Sequence, residues 1–185
     1  MFATVKIRSL CTLDGFMTMT SLSRIAALLT AGAVSLLALA GCDQQKIKEL
    51  EEGVSTEADV RARFGEPERI WSEADGARTF EYNRQPAGAR NYMITIGADG
   101  MMSALRQVLA PHNFAKIAPG MPEETVRRML GKPAKQITYR LKNETEWDWN
   151  YIDPPSRDMQ FTVVFGDDGR VLRSASRERL PDEPR

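Results

Sequence analysis

The sequence predicts an α+β fold built from two tandem units, each with two helices followed by an antiparallel sheet. The segment 53–67 recurs as 120–133, which sets Gly65 against Gly131, and the segment 92–100 recurs as 161–169. Two similar blocks in the same order indicate an internal repeat. Within each repeat, apolar residues at helical spacing come before apolar residues that alternate with polar ones. This order is typical of helices that cover one face of a sheet.

Two helices are predicted at the start of each unit. The first is short and polar, over residues 44–52 in one unit and 112–117 in the other. The second helix begins at Thr56, whose spacing to Asp59 is that of a capping box, or near Pro122, which suits a first helical turn. Each second helix has one apolar face, made by Val60 and Phe64 in the first unit and by Val126 and Leu130 in the second.

A Gly-x-Pro sequence ends the second helix in both units. Gly65 and Gly131 suit the left-handed position after a helix, and Pro67 and Pro133 prevent the helix from continuing. We interpret these four residues as a structural turn, because such a helix end needs no ligand to explain it.

The strands are predicted from alternation with a period of two. Trp147, Trp149 and Tyr151 alternate with polar residues, and Phe80 and Tyr82 do so more weakly. A further alternating segment in each unit runs into Asp99-Gly100 or Asp168-Gly169, which are hairpin-turn dipeptides, and a last strand follows at 101–108 or 170–176. Each unit therefore ends in an antiparallel meander.

The first 41 residues have the pattern of a lipoprotein signal peptide. Residues 25–40 form an uncharged apolar run that ends in Leu39-Ala40-Gly41-Cys42 and is followed by a polar segment. The run is shorter than the 20 or so residues of a membrane span. Small residues before a cysteine at this place resemble the lipobox of bacterial lipoproteins, which implies cleavage after Gly41 and a lipid on Cys42.

These patterns divide the chain into four predicted parts. Residues 1–41 form the signal peptide, of which 1–16 are interpreted as a mis-assigned start because Met17 and Met19 give a more usual leader. Residues 42–110 form the first unit, 111–180 the second, and 181–185 a polar tail with frayed ends.

Composition excludes several classes of function. The chain has equal numbers of basic and acidic residues, 25 of each, so no net charge attracts it to nucleic acid. One histidine and two cysteines make a metal site or a Cys–His nucleophile hard to assemble. No phosphate-binding loop or nucleophile–base pair is visible, so we expect neither catalytic residues nor a cofactor.

Two groups of residues are candidates for binding a partner. Aromatic residues are favoured both at interfaces and in cores, and both alternatives stay open for Trp71, Tyr82, Trp147, Trp149 and Tyr151. Four basic residues follow the second helix of the second unit and would meet either lipid headgroups or an acidic partner, or simply keep the surface soluble: Lys132, Lys135, Arg140 and Lys142.

The lipobox, the helix with its Gly-x-Pro end, the aromatic strand and the strand before Asp-Gly together resemble the SmpA/OmlA (BamE-like) family of bacterial lipoproteins. Two such units in tandem also resemble the fold of the β-lactamase inhibitor protein. The resemblance implies a non-enzymatic, lipid-anchored and periplasm-facing protein of the outer membrane. It would bind envelope proteins, including the machinery that assembles outer-membrane β-barrels.

Two alternatives accompany this resemblance. Asp43, directly after the lipobox cysteine, resembles the signal that retains enteric lipoproteins in the inner membrane. The alternative function is an inhibitor-like module that binds a periplasmic or secreted enzyme.

Overall fold

The computed structural model describes residues 42–179. The predicted signal peptide with Gly41, the side chain of Cys42 and the predicted tail at 181–185 lie outside the described residues. From Gln45 onward the chain forms one compact unit. Within the described range, no helix combines the length and the apolar character needed to cross a membrane.

Two four-stranded antiparallel sheets and four short helices make up the described chain. Sheet 1 has the strand order β1-β2-β3-β4 and sheet 2 the order β5-β6-β7-β8. In chain order, the elements of the first half are α1 (Cys42–Lys48), α2 (Glu57–Phe64), β1 (Arg69–Ser72), β2 (Arg78–Asn83), β3 (Asn91–Ile96) and β4 (Met102–Gln107). Those of the second half are α3 (Pro111–Phe114), α4 (Glu123–Leu130), β5 (Lys135–Tyr139), β6 (Glu144–Asp153), β7 (Arg157–Phe165) and β8 (Val171–Glu178).

The two four-stranded antiparallel sheets and the few helices agree with the predicted α+β class, and two of the strands were not predicted. β1 and β5 are edge strands whose side chains are mostly exposed. Because one face of such a strand is not fully buried, its sequence lacks the clear apolar alternation that marks the central strands.

Aligned positions of the sequence repeat make the same contacts in both halves. The Tyr82 hydroxyl donates to the Gly65 carbonyl, and the Trp149 indole N–H donates to the Gly131 carbonyl, both at 3.0 Å. At the start of α2 and α4, the amide of Glu57 donates to Gly100 and that of Glu123 to Gly169. These bonds tie each long helix to the hairpin that closes its own sheet.

The helix ends mostly follow the sequence prediction. The capping box of Thr56 and Asp59 is present, with Thr56 Oγ1 accepting from the Asp59 amide. Gly65 and Gly131 have the positive φ angles of 82° and 74° that glycine favours, but their ψ angles are −162° and −170°. The backbone therefore extends toward Pro67 and Pro133 instead of adopting the left-handed helical conformation.

Two hydrophobic cores hold the layers together. α2 packs on one face of sheet 1 through a core that includes Val60, Phe64, Phe80 and Tyr82. α4 packs on sheet 2 through a core that includes Val126, Leu130, Trp147 and Trp149. The second core also takes in Met93 of β3 together with Val108 and Leu109, which follow β4. The first half therefore supplies part of the core of the second.

Candidate protein-binding surface

α4 packs against the face of sheet 1 that points away from α2. A buried carboxylate lies at this contact. Glu81 of β2 is fully buried and points away from α2. Its Oε1 accepts from Arg127 Nε at 3.0 Å and from the Lys132 amide at 2.9 Å, while its Oε2 accepts from the Trp71 indole at 3.2 Å. A buried charge is tolerated only when it is paired and hydrogen-bonded, and Glu81 meets both conditions.

Two asparagines of sheet 1 complete this contact at the end of α4. Asn91 Nδ2 donates to the carbonyls of Leu130 and Lys132, at 2.8 and 3.0 Å. Asn83 Oδ1 accepts from the Lys132 amide at 2.8 Å. The bond to the Leu130 carbonyl satisfies a backbone group that the end of a helix leaves without an intrahelical partner, and the others fix Lys132 after Gly131. We call Trp71, Glu81, Asn83, Asn91 and Met93 the socket of sheet 1.

Ion pairs surround the socket. Arg128 pairs with Glu73 at 2.6 Å, and Lys132 Nζ pairs with Glu68 at 2.8 Å. The hydrogen bond from Arg128 lowers the pKa of Glu73. Burial raises the pKa of Glu68, but the bonds from Lys132 and Asn83 outweigh it and hold this pKa below its ordinary value.

The five aromatic side chains, for which core and interface both stayed open, are all buried in the structure. Trp147, Trp149 and Tyr151 lie under α4 in the second core, and Tyr82 lies under α2, where burial raises the pKa of its hydroxyl to about 12. Trp71 is in the socket, with Arg69 at 4.8 Å and Arg128 at 5.6 Å from its ring. In β6 the aromatic side chains face the core under α4, and Asp148 and Asn150 between them are buried as well.

The four predicted basic residues do not form one cluster of free charges. Lys132 belongs to the contact between the two halves through Glu68. Lys135 is exposed on β5, and Arg140 and Lys142 lie in the β5–β6 hairpin, where Lys142 Nζ is 5.6 Å from the Tyr139 ring centroid. Their role in partner binding stays a prediction.

Sheet 2 has a face that points away from α4, which we call the open face. It is defined by the strand register, because these residues alternate with those of the core. Its central residues are Asp148 and Asn150 on β6 with Gln160 and Thr162 on β7, and its ends carry Ile137, Tyr139 and Ile152. Neither hydrophobic core of the described chain includes a side chain from this face.

The open face combines a shielded polar centre with apolar ends. Asp148 and Asn150 are only 4% and 6% exposed, and Thr162 Oγ1 donates to Asp148 Oδ1 at 2.6 Å. Tyr139 and Ile152 are 37% and 40% exposed at opposite ends. Leu141, at the β5–β6 hairpin, is fully exposed. Aromatic side chains such as Tyr139 are enriched at protein-binding surfaces relative to the rest of a protein surface.

A charged pair borders the open face. Arg173 of β8 donates two bonds of 2.8 Å to Glu144 of β6, one to each carboxylate oxygen. This bidentate pair lowers the pKa of Glu144 and raises that of Arg173. Among the described residues, no group of three or more histidine, cysteine, aspartate or glutamate side chains is placed to hold a metal ion.

Sequence reasoning missed the socket and its counterpart on the open face. The sequence pattern that could have revealed both is a short repeated motif. An aromatic residue, an acid, an aromatic residue and an asparagine follow one another in β2 (residues 80–83) and again in β6 (residues 147–150). The aromatic positions drew attention to the core, although the acid and the asparagine between them lie on the other face.

Comparison with known proteins gives only distant likenesses. No family model and no curated protein matches the chain. Among solved structures, the chain is similar to a DUF4309 family protein (YjgB) from Bacillus subtilis, with 22% identity, a TM-score of 0.27, and coverage of 70% of this chain and 82% of that one. It is also similar to a proposed β-lactamase inhibitor protein from Streptococcus mutans, with 11% identity, a TM-score of 0.33, and coverage of 75% and 97%. An extracellular protein with an SCP domain from Bacillus anthracis matches at 12% identity and a TM-score of 0.28, with 74% of this chain and 52% of that chain covered.

Proposed function

We propose that this chain is a lipid-anchored, non-enzymatic envelope protein that binds another protein through the open face of sheet 2 and the β5–β6 hairpin. The observation that carries the proposal is the exposure of Tyr139, Leu141 and Ile152 on and beside this face. Sheet 1 has α2 on one face and α4 on the other, so its two faces are already in use within the chain.

The order of the layers supports binding at sheet 2. α2, sheet 1, α4 and sheet 2 follow one another, and Ile47 of α1 packs with the core of α2. Sheet 2 is therefore the last layer in this order, and its open face lies on the side away from α4.

Photocrosslinking tests this surface. A photoreactive residue in place of Leu141 should give one discrete adduct in the native cells, and excess purified chain should compete for it. The matched control replaces Ile70, which is also exposed but lies on sheet 1. Equal adducts from both positions, or none from either, would contradict the proposal.

The lipid anchor is tested separately. Labelled palmitate should be incorporated into the native chain, and a Cys42→Ser variant should lose both the label and its place in the membrane fraction. Density separation of inner and outer membranes then decides between the two locations that the BamE-like pattern and Asp43 suggest.

The crosslinked protein also separates the two candidate roles. A role in β-barrel assembly requires a component of that machinery and lower levels of barrel proteins in a deletion strain. The inhibitor-like role requires a periplasmic or secreted enzyme whose activity falls when the purified chain is added.

A further inference from the structure

The outer edge of β8 has no neighbouring strand in the described part of the chain. Residues 172–178 of this strand are all exposed. Every second residue of an antiparallel strand directs its backbone groups to the same side. The Arg179 amide donates to a carbonyl of β7 at 3.0 Å, so alternate residues counted back from it face β7 and those between face outward. The outward residues are Ser174, Ser176 and Glu178.

The equivalent edge of sheet 1, on β4, is covered by a side chain. The turns before α2 and α4 donate in the same way to the starts of β4 and β8, both at 2.8 Å, so the two edges are aligned. In sheet 1, Glu52 Oε1 accepts from the outward amide of Leu105 at 2.9 Å. In sheet 2 the residue equivalent to Glu52 is Pro119, whose side chain has no acceptor. The outward amide at the place of Leu105 belongs to Ser174, and it has no partner within the described residues.

Two arginines line the outer edge of β8 on the side of the open face. Arg173 and Arg177 lie on either side of Ala175, and Arg177 is opposite Gln160 of the open face. The Arg173 side chain stays 57% exposed, although it is bonded to Glu144. Charged residues on an edge hinder pairing with strands of like charge, whereas opposite charges on neighbouring strands stabilise it. The edge is therefore suited to a strand with acidic side chains.

We infer that the outer edge of β8 binds an extended segment of a partner protein, which adds antiparallel to sheet 2 and carries acidic side chains at alternate positions. Ser174, Ser176 and Glu178 would supply the main-chain hydrogen bonds, and Arg173 and Arg177 would contact the acids. In this mode of recognition the main chain gives the affinity and alternate side chains give the specificity. The inference goes beyond the proposed function, because β8 and β5 are opposite edges of sheet 2.

A second copy of β8 fits this edge less well than an acidic segment does. An antiparallel pair of two copies that uses the whole exposed stretch is centred on Ala175. It sets Arg173 of each copy opposite Arg177 of the other. Like charges directly opposite each other destabilise a strand pair. The charge of the edge therefore favours a different chain as the occupant.

The test uses the full chain and, as the probe, a short peptide of alternating valine and glutamate. Hydrogen exchange followed by NMR reports on each backbone amide separately. At saturation with the peptide, exchange of the Ser174, Ser176 and Glu178 amides should slow about tenfold or more, because these amides become hydrogen-bonded. The Leu105 amide is the internal control, since Glu52 already accepts from it, and its rate should not change.

Two N-methylated peptides distinguish strand addition from attraction between charges. Opposite side chains of an antiparallel pair lie on the same face, so glutamates beside the arginines direct their own amides away from β8 and the valines direct theirs toward it. Methylation of the valine nitrogens should abolish binding, and methylation of the glutamate nitrogens should preserve it. A peptide with lysine in place of glutamate should bind about tenfold more weakly or not at all.

A matched pair of chain variants tests the edge itself. Ser176→Pro removes one outward N–H and keeps the bonds between β8 and β7, so it should weaken peptide binding about tenfold or more. Ser176→Thr keeps the N–H and should bind like the native chain. Urea unfolding shows whether each variant is folded. If Ser176→Pro does not fold, the two N-methylated peptides still decide the question with the native chain.

Three results would overturn the inference. They are unchanged exchange at the outward amides of β8, equal binding of the two N-methylated peptides, and protection of the same amides without peptide that increases with chain concentration. The last result would identify a second copy as the occupant. The proposed function is judged separately. Protection of the β8 amides without any adduct at Leu141 would support this edge and contradict the proposed function, and the reverse pair of results would overturn the edge alone.

Discussion

Single residues decide how the two halves meet, and Glu81 is the clearest example. Its carboxylate is enclosed by the Trp71 indole, the Arg127 guanidinium and the Lys132 amide. Such a group stabilises the fold only while all of its partners remain, because an unpaired charge in the interior is very costly.

Replacement of Glu81 by leucine should therefore destabilise the protein by about 3–5 kcal/mol, since the partly buried Arg127 loses its buried partner and keeps only the longer contact with Glu68, at 3.6 Å. The double variant Glu81→Leu, Arg127→Met should be more stable than Glu81→Leu alone, because it removes the orphaned charge. Urea unfolding followed by circular dichroism measures both free energies. A double variant less stable than Glu81→Leu alone would contradict the expected cost of the charge left on Arg127.

At the scale of the elements, the two long helices have equivalent ends in different surroundings. A Cβ atom on Gly65 would meet no heavy atom within 4 Å. A Cβ on Gly131 would lie 2.6 Å from Asn83 Oδ1 and 3.0 Å from Asn91 Nδ2. The end of α4 is thus in close contact with the socket, whereas a side chain at Gly65, at the end of α2, would have open space.

This difference predicts unequal effects of the same substitution. Gly65→Ala should cost about 1–3 kcal/mol, which is the strain of a side chain at a positive φ. Gly131→Ala carries the same strain and also displaces Asn83 and Asn91, so its loss of unfolding free energy should be clearly larger. Thermal or urea unfolding of the two variants checks this, and equal losses would show that the socket adjusts without cost.

The sequence predicted the long helices and the central strands well, and it predicted the contact between the two halves poorly. The capping box at Thr56, the glycine ends of α2 and α4, and the alternating strands β6 and β7 follow from local rules of spacing. The contact of α4 with sheet 1 joins Arg127 to Glu81, which are 46 residues apart, and no local pattern encodes such a contact. For the same reason the side of β6 that carries Trp147 and Trp149 was identified as core only by the structure.

At the scale of the whole molecule, ion pairs between the halves make stability depend on pH. Glu73 has a folded pKa below its ordinary value because Arg128 donates to it. A carboxyl group with a lowered folded pKa adds stability above its unfolded pKa, near 4.5, and that stability is lost as the pH falls through the folded pKa.

We therefore expect the free energy of unfolding to fall as the pH drops below about 5. Glu73→Gln should reduce the slope of this fall, since the variant no longer binds a proton on unfolding at low pH. Urea titrations at a series of pH values between neutrality and pH 3 measure both slopes. Identical slopes for the two proteins would contradict a contribution from this pair.

The side-chain amide of Gln85 has a consequence for how the chain is made. β5 pairs with only the first half of β6, and beyond it Gln85 donates to the Asn150 carbonyl at 2.7 Å and accepts from the Asn150 amide at 3.2 Å. Unpaired strand edges are sites where other chains add on. During synthesis, the loop with Gln85 leaves the ribosome well before β6 does. The residue that covers this part of the β6 edge is therefore synthesised before the strand whose edge it covers.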